Sequence, residues 1–182
     1  MSSNFEECIE HVLAQEGGFV IHPHDTGGAT NFGITKSVLS QYVNKPVSDI
    51  DVYNLNKDDA KKIYEKLYWQ AMKLERIIYK NVQLILLDNG VNRGPQTAMK
   101  SLQKVLNTSF GAQLKVDGLF GVKTDMAISS VEEEPLCRKL IQDMIRSYVE
   151  IVLKHPTQKA FLKGWIERAF KLQDAISLGG TT

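Results

Sequence analysis

At 182 residues, with 43% hydrophobic and 24% charged residues, the chain has the composition of a globular protein long enough to bury its own core. A net charge of +1 gives no bulk attraction for a polyanion. The split is mild: nine Lys/Arg against twelve Asp/Glu over residues 1–91, a net of −3, and thirteen against nine over 92–182, a net of +4.

Asn4 is placed to cap a first helix in which Phe5, Cys8, Ile9, Val12 and Leu13 share one face. This helix is predicted to end at Glu16, with Gly17 left-handed beyond it. The helical period is lost over 19–35. There Phe19-Val20-Ile21 and Phe32-Gly33-Ile34 read as two short strands around the turn formers Pro23, Asp25, Gly27 and Gly28. A second helix starts at Thr35 or Ser37 and reaches Tyr42. A third opens at Asn56-Lys57-Asp58-Asp59 and carries Ala60, Ile63, Tyr64, Leu67 and Ala71 at helical spacing. The fourth, Asn81 to Gly90, is apolar on most sides and is expected to be central. Gly94-Pro95 opens a fifth, with Ala98, Met99, Leu102, Val105 and Leu106 as its buried stripe. A turn at Val116–Gly121, a short helix to Ile128, a long helix to Lys154 and a last one to Ser177 complete the chain. The expected fold class is mainly α, with a small β-hairpin at about residues 19–35 after the first helix. Cys8 and Cys137 fall on apolar faces and are expected to be buried thiols. The apolar run Val82 to Leu87 is far too short to span a bilayer, and the N-terminus shows no basic, apolar leader. The expectation is therefore a chain made in soluble form in the cytosol.

The chemistry concentrates at Glu16-Gly17-Gly18-Phe19 and in the loop after it. A helix C-terminus disfavours an anion, and so favours the protonated carboxyl that a general acid needs. Asp25 follows nine positions on. In glycoside hydrolysis one carboxyl protonates the leaving oxygen, while another group activates water or stabilises the developing positive charge. A hairpin can fold its tip back over the end of the preceding helix and bring both carboxyls to one cleft. The hydroxyls of Thr30 and Thr35 could hold the water. Each residue also has a plainer reading: a glutamate at a frayed helix end, a turn aspartate and ordinary strand threonines. His22, His24 and Asp25 offer a zinc-ligand set, without a second histidine cluster nearby. Tyr68 and Trp69 suit either the core or a sugar cleft. Asp88, Asn89, Asn92 and Arg93 could bond sugar hydroxyls or cap helices.

Glu16-Gly-Gly-Phe followed by Asp25-Thr-Gly-Gly-Ala-Thr-Asn-Phe-Gly-Ile-Thr resembles glycoside hydrolase family 108, the N-acetylmuramidases of phages and bacteria. The resemblance continues through Tyr68-Trp69 and Asp88-Asn-Gly-Val-Asn-Arg-Gly. It then runs through Leu102-Gln103, Val116-Asp-Gly-Leu-Phe-Gly121, Thr124 and Gly164-Trp-Ile-Glu-Arg168, which are similar to the predicted peptidoglycan-binding region that accompanies the family. It implies a lysozyme-like helical fold and hydrolysis of the β-1,4 bond between N-acetylmuramic acid and N-acetylglucosamine. Glu16 would be the proton donor and Asp25 the second acid, with Thr30, or as the alternative Thr35, completing a Glu–Asp–Thr site. Phage-type lysozymes place five residues between the Asp and the Thr. Here Thr30 follows after four, and Asn31 occupies the five-residue spacing. Gly28, Thr35, Tyr68, Trp69, Asn89 and Asn92 are the candidate substrate contacts.

The resemblance further implies a catalytic part over 1–91 and a peptidoglycan-binding-like part over 92–182, packed as one compact unit. The expected partner is the glycan strand of bacterial peptidoglycan. No cofactor, metal, nucleic acid or stable membrane insertion is expected, and the protein is expected to be a monomer. It would act on the wall after release or non-classical export. The alternatives are a non-catalytic wall-binding or secretion-assisting protein, and a zinc amidase or peptidase.

Overall fold

The structure, a computed structural model, describes residues 3–21 and 28–178. Its contacts divide the chain into two compact units, Met1–Ala71 and Met72–Thr182.

The first unit opens with α1 (Ser3–Leu13). Phe5, Cys8, Ile9, Val12 and Leu13 are all buried, as the spacing requires. The helix stops three residues before Glu16. Its end tightens into a turn in which the amides of Gln15 and Glu16 donate to Val12 and Leu13, three residues back. A tightened last turn needs no left-handed residue after it, and Gly17 is not at positive φ.

The predicted hairpin is a three-stranded antiparallel sheet: β1 (Val20–Ile21), β2 (Ala29–Asn31) and β3 (Ile34–Thr35), in that order. Phe32 and Gly33, expected within a strand, form the two-residue turn between β2 and β3, with φ of 50° and 74°. Two successive positive φ values define the turn whose twist matches its flanking strands; Gly33 adopts this freely, while Phe32 does so at a cost. Thr35 caps α2 (Lys36–Val43), its hydroxyl accepting from the Val38 amide at 3.3 Å. The short α3 (Asp49–Tyr53) was not foreseen. Its signal is a capping box in which Ser48 and Asp51 satisfy each other's backbone amides.

Asn31, buried in β2, donates its side-chain amide to the carbonyls of Val52, Tyr53 and Leu55, each at 3.2 Å. It thereby ties the sheet to the end of α3. Asn56 caps α4 (Lys57–Tyr64), which continues into a π-helical turn, Glu65–Trp69. Lys61 reaches both Glu6 and Glu10 of α1 at 2.8 Å, and these ion pairs hold the Lys61 ammonium well above its ordinary range.

The second unit is built around α5 (Lys80–Arg93), buried on all sides from Val82 to Gly90. It packs against α6 (Pro95–Phe110) and α8 (Glu133–Lys154), and α8 in turn carries α9 (Lys159–Leu178). The short α7 (Val122–Ser129) follows the Val116–Gly121 loop. Buried Gln103 pins that loop. Its amide nitrogen donates to Asp117 and to the Leu119 carbonyl, and its oxygen accepts from the Gly118 amide. Gly118 is at positive φ, and a methyl there would lie 2.6 Å from Gln96 Cγ. Cys8 and Cys137 are buried and not disulfide-bonded. Among the described residues no helix is long and apolar enough to cross a membrane.

A fully buried carboxylate, Asp88 on α5, is matched by Arg168 on α9. The Arg168 Nε donates to both carboxylate oxygens at 3.0 and 3.1 Å, and a second guanidinium nitrogen lies 3.0 Å from Oδ1. Removing one partner of such a pair leaves a charge in a site built to compensate it. Arg168→Met is therefore expected to destabilise the protein by about 3–5 kcal/mol, read from urea denaturation.

Candidate active site

Glu16 ends the turn that closes α1, its amide held by the Leu13 carbonyl at 3.3 Å and the residue half-buried. Its carboxyl rests on the backbone of Gly33. A methyl group built on Gly33 would lie 2.5 Å from Glu16 Oε2 and 2.8 Å from its carboxyl carbon. The same methyl would lie 2.5 Å from the Tyr64 hydroxyl, which donates to the Phe32 carbonyl at 3.0 Å. The β2–β3 turn, the buried Tyr64 of α4 and the carboxyl of Glu16 therefore meet at one point. Only a glycine leaves room for all three.

Tyr68 stands beside this point, its ring centroid 5.3 Å from that of Tyr64. Burial raises its phenol above the ordinary range, and the negative charge of Glu16 raises it further. The half-buried Glu16 carboxyl thus rests against a strained turn, beside the hydroxyl of Tyr64 and near the ring of Tyr68.

Thr30 lies in the middle of the sheet, paired across to Val20 on one side and Thr35 on the other. Its neighbours Ala29 and Asn31 are buried, so Thr30 points to the opposite face from them. Asn31, at the five-residue spacing, is spent on α3, whereas the Thr30 hydroxyl is on the sheet face that Thr35 shares. Thr35 itself caps α2. Gly28 leads into β2 at a φ of 69°, close to the Lys36–Asp49 ion pair. Asp25, expected as the second acid, and His22 and His24, offered as zinc ligands, lie outside the described residues. Among the described residues no cluster of His, Cys, Asp and Glu is placed to hold a metal ion.

Three of the other expectations change. Trp69 is 2% exposed and packs edge-on against Phe5, so it presents no face to a sugar. The π-helical turn explains this. The Gln70 amide bonds back five residues to Glu65, and the wider turn returns Trp69 to nearly the same face as Tyr64. Asn89 is 1% exposed, inside α5. Asn92 donates to the Tyr148 hydroxyl at 2.8 Å, and Arg93 donates to Ser147 at 2.6 Å with its guanidinium over the Tyr148 ring. Together with Asp88 these residues form the polar joints between α5, α8 and α9. Tyr64 and Gly33 are the residues that the sequence reading placed in a core stripe and a strand. A tyrosine in an apolar stripe carries a hydroxyl that needs a partner, and that was the available signal.

A helical protein with a small sheet that seats a carboxyl beside its first helix is the architecture of a lysozyme-like glycosidase. Residues 9–94 match the family model described as Glycosyl hydrolase 108, and residues 97–170 match the one described as Predicted Peptidoglycan domain. Among solved structures, the chain is similar to one described as the structure of Brucella abortus SagA. The two are 31% identical, 98% of this chain and 96% of that chain are covered, and the TM-score is 0.83. No curated protein matches the chain. The chain belongs to glycosyl hydrolase family 108: it is a glycoside hydrolase, and with its second region a peptidoglycan hydrolase.

Two outcomes follow from the geometry around Gly33. Gly33→Ala forces a side chain into a positive-φ position and onto the Glu16 carboxyl, so it is expected to cost more than about 1 kcal/mol of stability and to depress hydrolysis of sacculi. Denaturation and turbidity assays read the two effects separately. In an alkaline absorbance titration Tyr68 is expected to ionise late. A phenol raised by folding contributes stability that is fully present below its unfolded pKa and is lost as pH rises from there through the folded pKa. Glu16→Gln removes one of the two causes, so the Tyr68 transition is expected to move down while remaining above the ordinary phenol value.

Proposed function

We propose that the protein is an N-acetylmuramidase that hydrolyses the β-1,4 bond between N-acetylmuramic acid and N-acetylglucosamine. The observation that carries this reading is the seating of the Glu16 carboxyl on Gly33 between Tyr64 and Tyr68, within the region that matches the glycosidase family. Glu16 acts as general acid. It gives its proton to the glycosidic oxygen as the bond from that oxygen to the anomeric carbon breaks, and the sugar left behind takes on oxocarbenium character. Asp25 stabilises that charge or takes the proton of the attacking water, and the Thr30 hydroxyl orients the water. Gly28, Thr35 and Tyr68 contribute to holding the glycan strand. No cofactor is required. The substrate lies outside the cytoplasm, so the protein acts in the periplasm or beyond, after release or non-classical export.

The assignment is tested with Glu16→Gln, a nearly isosteric change that keeps the fold and removes the transferable proton. Loss of general acid catalysis is typically worth about 10²–10⁴-fold, and a fall of that order in sacculus lysis is expected. Mass spectrometry of the wild-type digest should show muropeptides with N-acetylmuramic acid at the new reducing end. Near-normal lysis by the variant, or N-acetylglucosamine at the reducing end, would overturn the reading. Release of free amines without reducing sugar would point instead to an amidase or peptidase.

A further inference from the structure

The second unit contains a cavity of about 490 Å³, within the roughly 300–1,000 Å³ range of small-ligand sites. It is lined by α8 and α9 together with Asn81 of α5, and shares no residue with the site around Glu16. One wall is aliphatic: Ile141 and Ile145 of α8 and Ile176 of α9. Cys137 completes that wall. Burial, with the charges of Glu133 and Glu134, pushes its thiol up to about 12, so it stays protonated and serves as apolar surface rather than as a nucleophile.

The rim carries both signs of charge. Arg138 and Glu134 face each other at 3.4 Å with side chains 59% and 75% exposed. Such an i,i+4 surface pair is worth little, so a ligand can replace either member at small cost. Glu133 accepts the Asn81 amide and holds the start of α5 at the cavity edge, while Gln142 and Gln173 add uncharged polar contacts. Among the described residues the lining contains no aromatic ring. A sugar ring, with hydroxyls around its whole edge, gains little from three isoleucines. A short aliphatic chain ending in a carboxylate and an ammonium matches each part: methyl and methylene groups against the isoleucines, carboxylate on the Arg138 guanidinium and ammonium on Glu134.

We propose that this cavity binds the peptide portion of the wall polymer, a short zwitterionic aliphatic peptide, rather than its glycan. The inference rests on the reading of peptidoglycan as substrate. It assigns the second unit a task separate from cleavage: holding the polymer by its cross-linking peptides.

The test uses the full chain and two probes, a sugar-free tripeptide of alanine, γ-linked glutamate and diaminopimelate, and the peptide-free disaccharide of the wall. Arg138→Glu inverts an exposed charge, and Ile145→Trp fills the cavity from a half-buried position; circular dichroism checks that both fold. Titration calorimetry is expected to show tripeptide binding to the wild type, weakened about tenfold or more in each variant, as the loss of one charge-assisted contact implies. Disaccharide affinity is expected to be the same in all three proteins. Absence of tripeptide binding to the wild type, equal binding by all three proteins, or loss of disaccharide binding in the variants would each overturn the proposal. Cleavage of peptide-free glycan strands by the unmodified protein checks the glycosidase reading independently, so failure of one is not failure of the other.

Discussion

The turn at Phe32-Gly33 is the constraint around which the first unit is arranged. Phe32 occupies a left-handed conformation that costs a side-chain-bearing residue of order 1–3 kcal/mol. That conformation persists because the Phe32 carbonyl is held by the hydroxyl of a fully buried tyrosine, Tyr64. Gly33, next to it, presents bare backbone, and the Glu16 carboxyl lies directly on that surface. A strained backbone, a buried hydroxyl and a carboxyl thus fix one another. The carboxyl is positioned by elements distant in sequence, so its placement does not depend on the rotamer freedom of a surface glutamate.

The polar residues of α5 illustrate a different balance. Asp88, Asn89, Asn92 and Arg93 form a dense polar group at a helix end, and in sequence such a group suits ligand binding as well as capping. Asp88 meets Arg168 across 80 positions of chain, and Asn92 and Arg93 meet Tyr148 and Ser147 across more than 50. Partners at such separations leave no local pattern. Burial of the carboxylate is tolerated because a guanidinium fork supplies its hydrogen bonds, and the pair sets how α9 lies against α5.

The π-helical turn after α4 shows how one hydrogen-bond register can reassign a residue. Extrapolated at 3.6 residues per turn, Trp69 falls off the apolar stripe and looks available to a substrate. The π-helical register, in which the Gln70 amide bonds back to Glu65, widens the turn, buries Trp69 against Phe5 and leaves Tyr68 beside Glu16. Turns of this kind recur at functional sites, where the extra residue re-aims a side chain that regular geometry would place elsewhere.

Sequence alone determined what depends on near neighbours: most of the helices and their buried faces, the break at Gly94-Pro95 and the buried thiols. Periodicity, capping residues and glycine placement act over a few positions and leave a readable trace. The third strand and the positive-φ turn escaped, because Phe and Ile are good strand formers and conceal a turn centred on Phe32-Gly33. Only tertiary structure could decide that Asn31 is committed to α3 while Thr30 is not, that Trp69 belongs to the core, and that Tyr64 and Gly33 seat Glu16. Each of these turns on which groups satisfy one another across the fold. A buried polar atom must find a partner somewhere, and the sequence does not say where.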